Sequence, residues 1–211
     1  MAELQALLDE VTACEKRHDV VGLRAVRARI AEDHPDSDAA TEALYKIGLD
    51  MLFRERQLAA AVEQFEAAAQ RKQPFWSAAA RTSLGLCYYH QRRLQKALFE
   101  LRKVGYAKVP NVHSVTALAF IENIFSAEGQ SEEATRVRRD RIAQLERVIE
   151  GHRAAGGDAS ERGYYLHQLG IALKDSGEGG RASAVLEEAK GLGPQVLGAE
   201  LYRSVIDALN H

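Results

Sequence analysis

Gly177, Gly179 and Ala182, in the stretch "GEGGRA", carry the spacing G-x-G-x-x-A, which in the right setting cradles the pyrophosphate of a dinucleotide. That chemistry needs a strand before the first glycine and a helix after the last, so that a helix N-terminus points at the phosphates. The segment before it, "YYLHQLGIALKD", spaces Tyr165, Leu166, Leu169, Ala172 and Leu173 as a helix does, and no later strand completes a βαβ unit. Glu200 stands about where a ribose-binding acid would fall, but the sequence between is helical in pattern. The glycines therefore read as a corner between two helices, with Gly177 as a left-handed cap and Gly179 and Gly180 reversing the chain. No cofactor is expected.

The remaining reactive side chains are scattered. None of the seven histidines forms H-E-x-x-H or pairs with cysteine at zinc-ligand spacing, so no metal site and no catalytic residue is expected. Cys14 and Cys87 are too few for a disulfide framework and lack C-x-x-C spacing, which fits a reducing, cytoplasmic setting. Cys87, in "LGLCYY", matches no nucleophile signature and reads as a small packed side chain. "VTAC", ending at Cys14, resembles a lipidation box, but "MAELQALLDE" before it is acidic, whereas an export signal needs a basic start and an apolar run. The acid pairs Glu132-Glu133 and Glu187-Glu188 read as solvated helix residues. The densest charge is "RVRRDR", Arg136 to Arg141. Arg136, Arg139 and Arg147 lie off the apolar stripe of Ala134, Val137, Leu145 and Val148.

Whole-chain composition narrows the field. In 211 residues, 28 lysines and arginines stand against 30 acids, a formal charge of -2 that offers polyanions no general attraction. Nucleic acid is not favoured as a partner, and it remains the alternative reading through the Arg136 to Arg141 helix. Apolar stretches such as "VTALAF" and "LAAAV" fall far short of the roughly 18 residues of a spanning helix, so no membrane segment is expected.

Helical periodicity runs throughout. Leu4, Leu7, Leu8 and Val11 recur at i, i+3, i+4 and i+7, and no sustained alternation argues for strands. The helices also repeat. Leu84-Gly85-x-x-Tyr88 leads to Ala97-x-x-x-Leu101 and Pro110; Ile47-Gly48-x-x-Met51 leads to Ala61-x-x-x-Phe65 and Pro74; Leu169-Gly170-x-x-Leu173 leads to Ala182-x-x-x-Leu186 and Pro194. This resembles the tetratricopeptide (TPR) pattern, whose nominal period is about 34. Ala61, Ala97 and Ala134 stand 36 and 37 residues apart, and the interval of 48 to Ala182 leaves room for an extended helix and the polar linker "GHRAAGGDASERG". In one weaker unit Glu122 replaces the glycine, and Arg138 and Arg141 occupy positions that are usually apolar. The first unit keeps its helix pair and Pro35 but lacks the L-G pair. All four prolines fall just after a second helix, where a missing donor and a restricted preceding residue mark boundaries. Gly48, Gly85 and Gly170 would each cost a helix about 0.5 to 1 kcal/mol, which close approach of the partner helix can offset.

The resemblance implies one domain, 1–211: an all-α, right-handed TPR-like α-solenoid of about five helix-turn-helix units (4–35, 40–74, 78–110, 114–150, 162–194) and a capping helix, 195–210, with Leu197, Leu201, Val205 and Leu209 inward. It implies a non-catalytic scaffold or adaptor that holds a protein or peptide partner in a concave groove lined by the first helix of each unit. Carried over position by position, the lining is Tyr45, Leu49, Leu52 and Phe53; Thr82, Leu86, Tyr89 and His90; Phe120 and Asn123; and His167, Gln168, Ile171 and Lys174. The N-terminal half of this lining is apolar and aromatic, suited to an apolar peptide or amphipathic helix. Leu49 and Leu86 stand where the family's carboxylate clamp needs asparagine, which argues against that mode. Homo-oligomerisation is compatible with the reading.

Overall fold

The computed structural model describes residues 2–210. Among them are twelve α-helices and no strand. Ten form successive pairs: α1 (Ala2–Arg17) with α2 (Val20–Asp33), α3 (Asp38–Phe53) with α4 (Leu58–Ala69), α5 (Pro74–His90) with α6 (Leu94–Gly105), α7 (Val112–Ala127) with α8 (Ser131–Ala155), and α9 (Ala159–Asp175) with α10 (Gly179–Gly191). A one-turn α11 (Pro194–Leu197) and α12 (Ala199–Asn210) follow. The chain divides into two compact units, one running to Val104 and the other starting at Gly105.

Local chemistry sets the helix ends. Ser37 caps α3 by accepting the Ala40 N–H at 3.1 Å, and Asp158 caps α9 by accepting the Glu161 N–H at 2.8 Å. Asn111 and Ser114 form a reciprocal capping box on α7. Pro74 and Pro194 open α5 and α11, where no N–H is needed. Gly177 has φ +81°, and its N–H returns to the Lys174 carbonyl at 2.9 Å, so the glycine corner is a helix stop. Two differences from the sequence pattern stand out. The polar linker is largely helical, since α8 runs 25 residues to Gly156 at φ +64° and α9 starts at Ala159. The last helix is broken in two by Gly198 at φ +76°.

One contact recurs inside the pairs. The eighth residue of each second helix is Arg27, Phe65, Leu101, Arg138 or Leu186. In three pairs it faces a glycine, the sixth residue from the end of the first helix. A Cβ on Gly48 would lie 2.6 Å from the Phe65 ring, on Gly85 2.5 Å from Leu101, and on Gly170 2.5 Å from Leu186. Phe65, Leu101 and Leu186 are fully buried, so each glycine is the space its partner fills.

The fourth pair solves the same problem with charge. Glu122 stands in the glycine position and Arg138 in the Leu101 position, with Arg138 Nε 2.6 Å from Glu122 Oε1 and Arg141 Nη2 3.1 Å from Oε2. Glu122 and Arg141 are 4% and 6% exposed. Burial pulls the Arg141 guanidinium below its ordinary pKa, and Glu122 and Asp175 oppose that. Arg138 also donates to the Asp175 carbonyl at the end of α9. The three departures from the repeat pattern in this unit are therefore one matched set. In the first pair the buried Arg27 is answered likewise, by Glu15 at 3.2 Å and Asp50 at 3.3 Å.

Gly85→Leu should destabilise the fold by about 3 kcal/mol or more, because the added atoms meet Leu101 and the Ala97 carbonyl, whereas Gly179→Ala, with open space around it, should leave the melting temperature nearly unchanged. Glu122→Ala strands the buried Arg141 and takes the carboxylate from the half-buried Arg138, and should cost about 3 kcal/mol. The triple change Glu122→Gly, Arg138→Leu, Arg141→Leu, which restores the glycine–leucine contact, should recover most of that loss in denaturant unfolding.

Candidate functional site

The first helices of the pairs present their side chains in a fixed register, conveniently counted from Gly48, Gly85, Glu122 and Gly170. Three residues earlier stand Tyr45, Thr82 and His167. Tyr45 is half-buried, its ring centroid 5.9 Å from Phe65 and 5.6 Å from Trp76 of α5. Thr82 is 6% exposed and donates its hydroxyl to the Ala78 carbonyl at 2.9 Å. His167 is 9% exposed, with Nε2 3.0 Å from Ser204 Oγ of α12, and burial holds its pKa below the ordinary value.

Positions one and four residues later share a stripe of the helix with those three. Leu49, Leu52, Leu86, Tyr89, Ile171 and Lys174 are half-buried, and Asn123 is exposed. Lys174 donates to the Ala208 carbonyl of α12. One residue further, Phe53 is 68% exposed and His90 is exposed, its ring 5.9 Å from Tyr89. Phe120 and Gln168, two before the reference position, are half-buried. In the first unit α3, which carries Leu49 and Leu52, lies side by side with α5, which carries Leu86 and Tyr89. The corresponding residues of α7 and α9 belong to the second unit, where His167 and Lys174 are engaged by α12.

A cleft of about 480 Å³ adjoins Leu49, lined by Cys14, Glu15, Val20, Leu23, Arg27 and Asp50 among others. Val20, which lines it, is 41% exposed, and the next residue, Val21, is 82% exposed. The sequence pattern did not single these out, because the first pair lacks the L-G motif; the available signal was two adjacent valines following Asp19, which caps α2 by accepting the Gly22 N–H.

The reactive candidates have structural placements. The glycine corner joins α9 to α10, two helices, and Glu200 lies within α12. Cys87 is fully buried, and burial pushes its thiol up to about 11, far from a thiolate at neutral pH. Within the arginine run, Arg138 and Arg141 hold Glu122, and Arg136 pairs with Glu133 on its own helix. Asp140 accepts the Tyr106 hydroxyl at 3.0 Å, and Arg139 is exposed. The acid pairs are tied in as well, Glu188 to Arg153 and Glu187 to Lys190.

No family model and no curated protein matches the chain. Solved structures do resemble it. MamA protein is 16% identical, with a TM-score of 0.52 over 95% of this chain and 97% of that one. The putative kinesin light chain repeats of Podosopora anserina, described as nearly identical and TPR-like, are 13% identical, with a TM-score of 0.53 over 92% of this chain and 95% of that one. At such identities the likeness is one of fold. Paired helices, a close glycine contact in three of the pairs and these structural neighbours together give the chain a TPR-like, all-α helical-repeat fold.

Proposed function

We propose that the chain is a non-catalytic protein-interaction scaffold that receives an apolar peptide segment or amphipathic helix on the strip formed by α3 and α5. The observation that carries this is the half-exposed set Leu49, Leu52, Leu86 and Tyr89 on two adjacent helices, continued by the 68% exposed Phe53. An isolated exposed leucine is ordinary, but several in register on neighbouring helices offer contiguous apolar area on a rigid support. A partner helix would meet them with side chains at i, i+3, i+4 and i+7. Full burial of an aliphatic or aromatic anchor contributes about 1.5 to 3 kcal/mol before the costs of association, so a few anchors support micromolar binding. His90 and Arg54, both exposed, are polar groups on the same two helices that would set register.

The kinesin light chain neighbour consists of TPR-like repeats, and stacked helix pairs present a preformed surface in place of a reactive pocket. The arginine helix is the weaker basis for recognition, because Arg138 and Arg141 are turned inward onto Glu122. The two buried, free cysteines suit a cytoplasmic protein.

Peptides selected from a random display library against the wild-type chain should be rich in apolar residues at helical spacing. Tyr89→Asp should weaken their binding at least about tenfold, equivalent to about 1.4 kcal/mol, while leaving the melting temperature within a few degrees. Undiminished binding by the folded Tyr89→Asp variant would remove the strip from the model. Binding that instead collapses steeply with added salt and is competed by RNA would favour the arginine helix.

A further inference from the structure

Where α12 sits on α9, one titratable side chain serves neither the pair contacts nor the proposed binding strip. His167 is 9% exposed, with Nε2 3.0 Å from Ser204 Oγ and Nδ1 enclosed with no hydrogen-bond partner. A neutral imidazole suits that setting, with the Nε2 proton donated to Ser204 and a bare Nδ1. The cation would put an N–H where no acceptor stands, so its charge would be buried and unmet.

The helix it holds is lightly attached. Val205 is the buried residue of α12, while Leu201, Tyr202 and Leu209 are half-buried against the same core. Its second polar anchor to α9 is the Lys174 ammonium on the Ala208 carbonyl. The link to the rest of the chain passes through Gly198 at φ +76°, a conformation open to glycine without strain.

The charged groups of the surrounding elements are committed elsewhere or face water. On α12, Glu200, Arg203 and Asp207 are exposed. On α10, Arg181 pairs with Glu178 and Glu146, Lys190 with Glu187, and Glu188 with Arg153. On α8, His152 faces Glu161 at 3.9 Å, and Arg138 and Arg141 face Glu122. On α9, Glu161 also accepts the Tyr165 hydroxyl, Arg162 is half-buried five residues before His167, and Asp175 lies toward Arg141 at the far end. The α11 turn carries no charge. None of these groups contributes to the shift of His167, which burial alone produces.

We propose that α12 is a proton-sensitive cap, in which protonation of His167 at the partnerless Nδ1 leaves a buried charge unmet beneath α12 and so releases the helix from the end of the second unit. With α12 docked, the imidazole pKa lies below 6.5; with α12 swung away, the ring returns to water and to its ordinary value. The released form therefore binds the extra proton between those two values. Docking is at full strength above about pH 6.5 and weakens as the pH falls toward the docked pKa. Release uncovers the seat of Val205 on α9 and α10, so acid would switch the chain from a closed stack to one with an open apolar end.

Hydrogen exchange of the full chain at pH 7.5 and 5.5, corrected for intrinsic rates, tests this. In the wild type the α12 amides should lose protection below pH 6.5, by up to about tenfold per pH unit for a single proton, while α10 and α4 amides keep theirs. His167→Gln, which can still donate to Ser204 but cannot titrate, should abolish the pH dependence of α12; His167→Phe serves the same purpose if the amide is not accommodated. The proposal is overturned if α12 protection is the same at both pH values, if its fall persists in the non-titrating variant, or if α10 and α4 lose protection in parallel, which would mean that the proton acts on the whole fold.

Discussion

How closely two helices of a pair can approach is decided at a single crossing, and the rest of the molecule follows from it. Sixth from the end of the first helix, a side chain is given up so that the eighth residue of the second can fill the gap: Gly48 to Phe65, Gly85 to Leu101, Gly170 to Leu186. Filling that gap with a dense apolar contact offsets the helix-propensity penalty of glycine. With the pair closed at that spacing, the alanines around it, such as Ala61, Ala97 and Ala182, are fully buried.

Charge can occupy the same crossing provided that it is balanced. Glu122 and Arg138 take the glycine and leucine places, Arg141 adds a second guanidinium, and the Asp175 carbonyl receives a further Arg138 N–H. Removing water from three ions is costly, so the set is stable only as a set. Its reach from α7 across α8 to the end of α9 ties three helices of the second unit, which an apolar plug confined to one pair would not do. A run of arginines that looks basic on paper is in this way partly consumed as internal structure.

Register then distributes the remaining side chains. Three residues before the crossing, Tyr45 meets Trp76 of α5, Thr82 is buried and His167 meets Ser204 of α12; one and four residues after it, Leu49, Leu52, Leu86 and Tyr89 are half-buried. These offsets are related as i, i+4 and i+7 and so share one stripe of the helix; how far a neighbouring helix covers that stripe differs from position to position. On the proposed function, recognition is a by-product of stacking: the face left uncovered is the one that would receive a partner.

The helical class and the repeat were legible in the chain itself, because a 3.6-residue apolar period, glycines in a fixed frame and prolines after four of the five second helices are local signals that do not depend on distant contacts. The corner at Gly177 could be separated from a phosphate loop for the same reason, since a strand leaves a different period from a helix. Side-chain direction within the first helices was only partly legible. His167 and Lys174 resemble groove residues by position, but α12, more than thirty residues later, sits on both. The pairing of Glu122 with Arg138 and Arg141 was equally out of reach, as each looked like a separate departure from the pattern. Local sequence determined which segments coil and where they stop; which face is covered, and which charges meet, depended on helices far apart in the chain coming within a few ångströms of each other, and only the tertiary structure decides that.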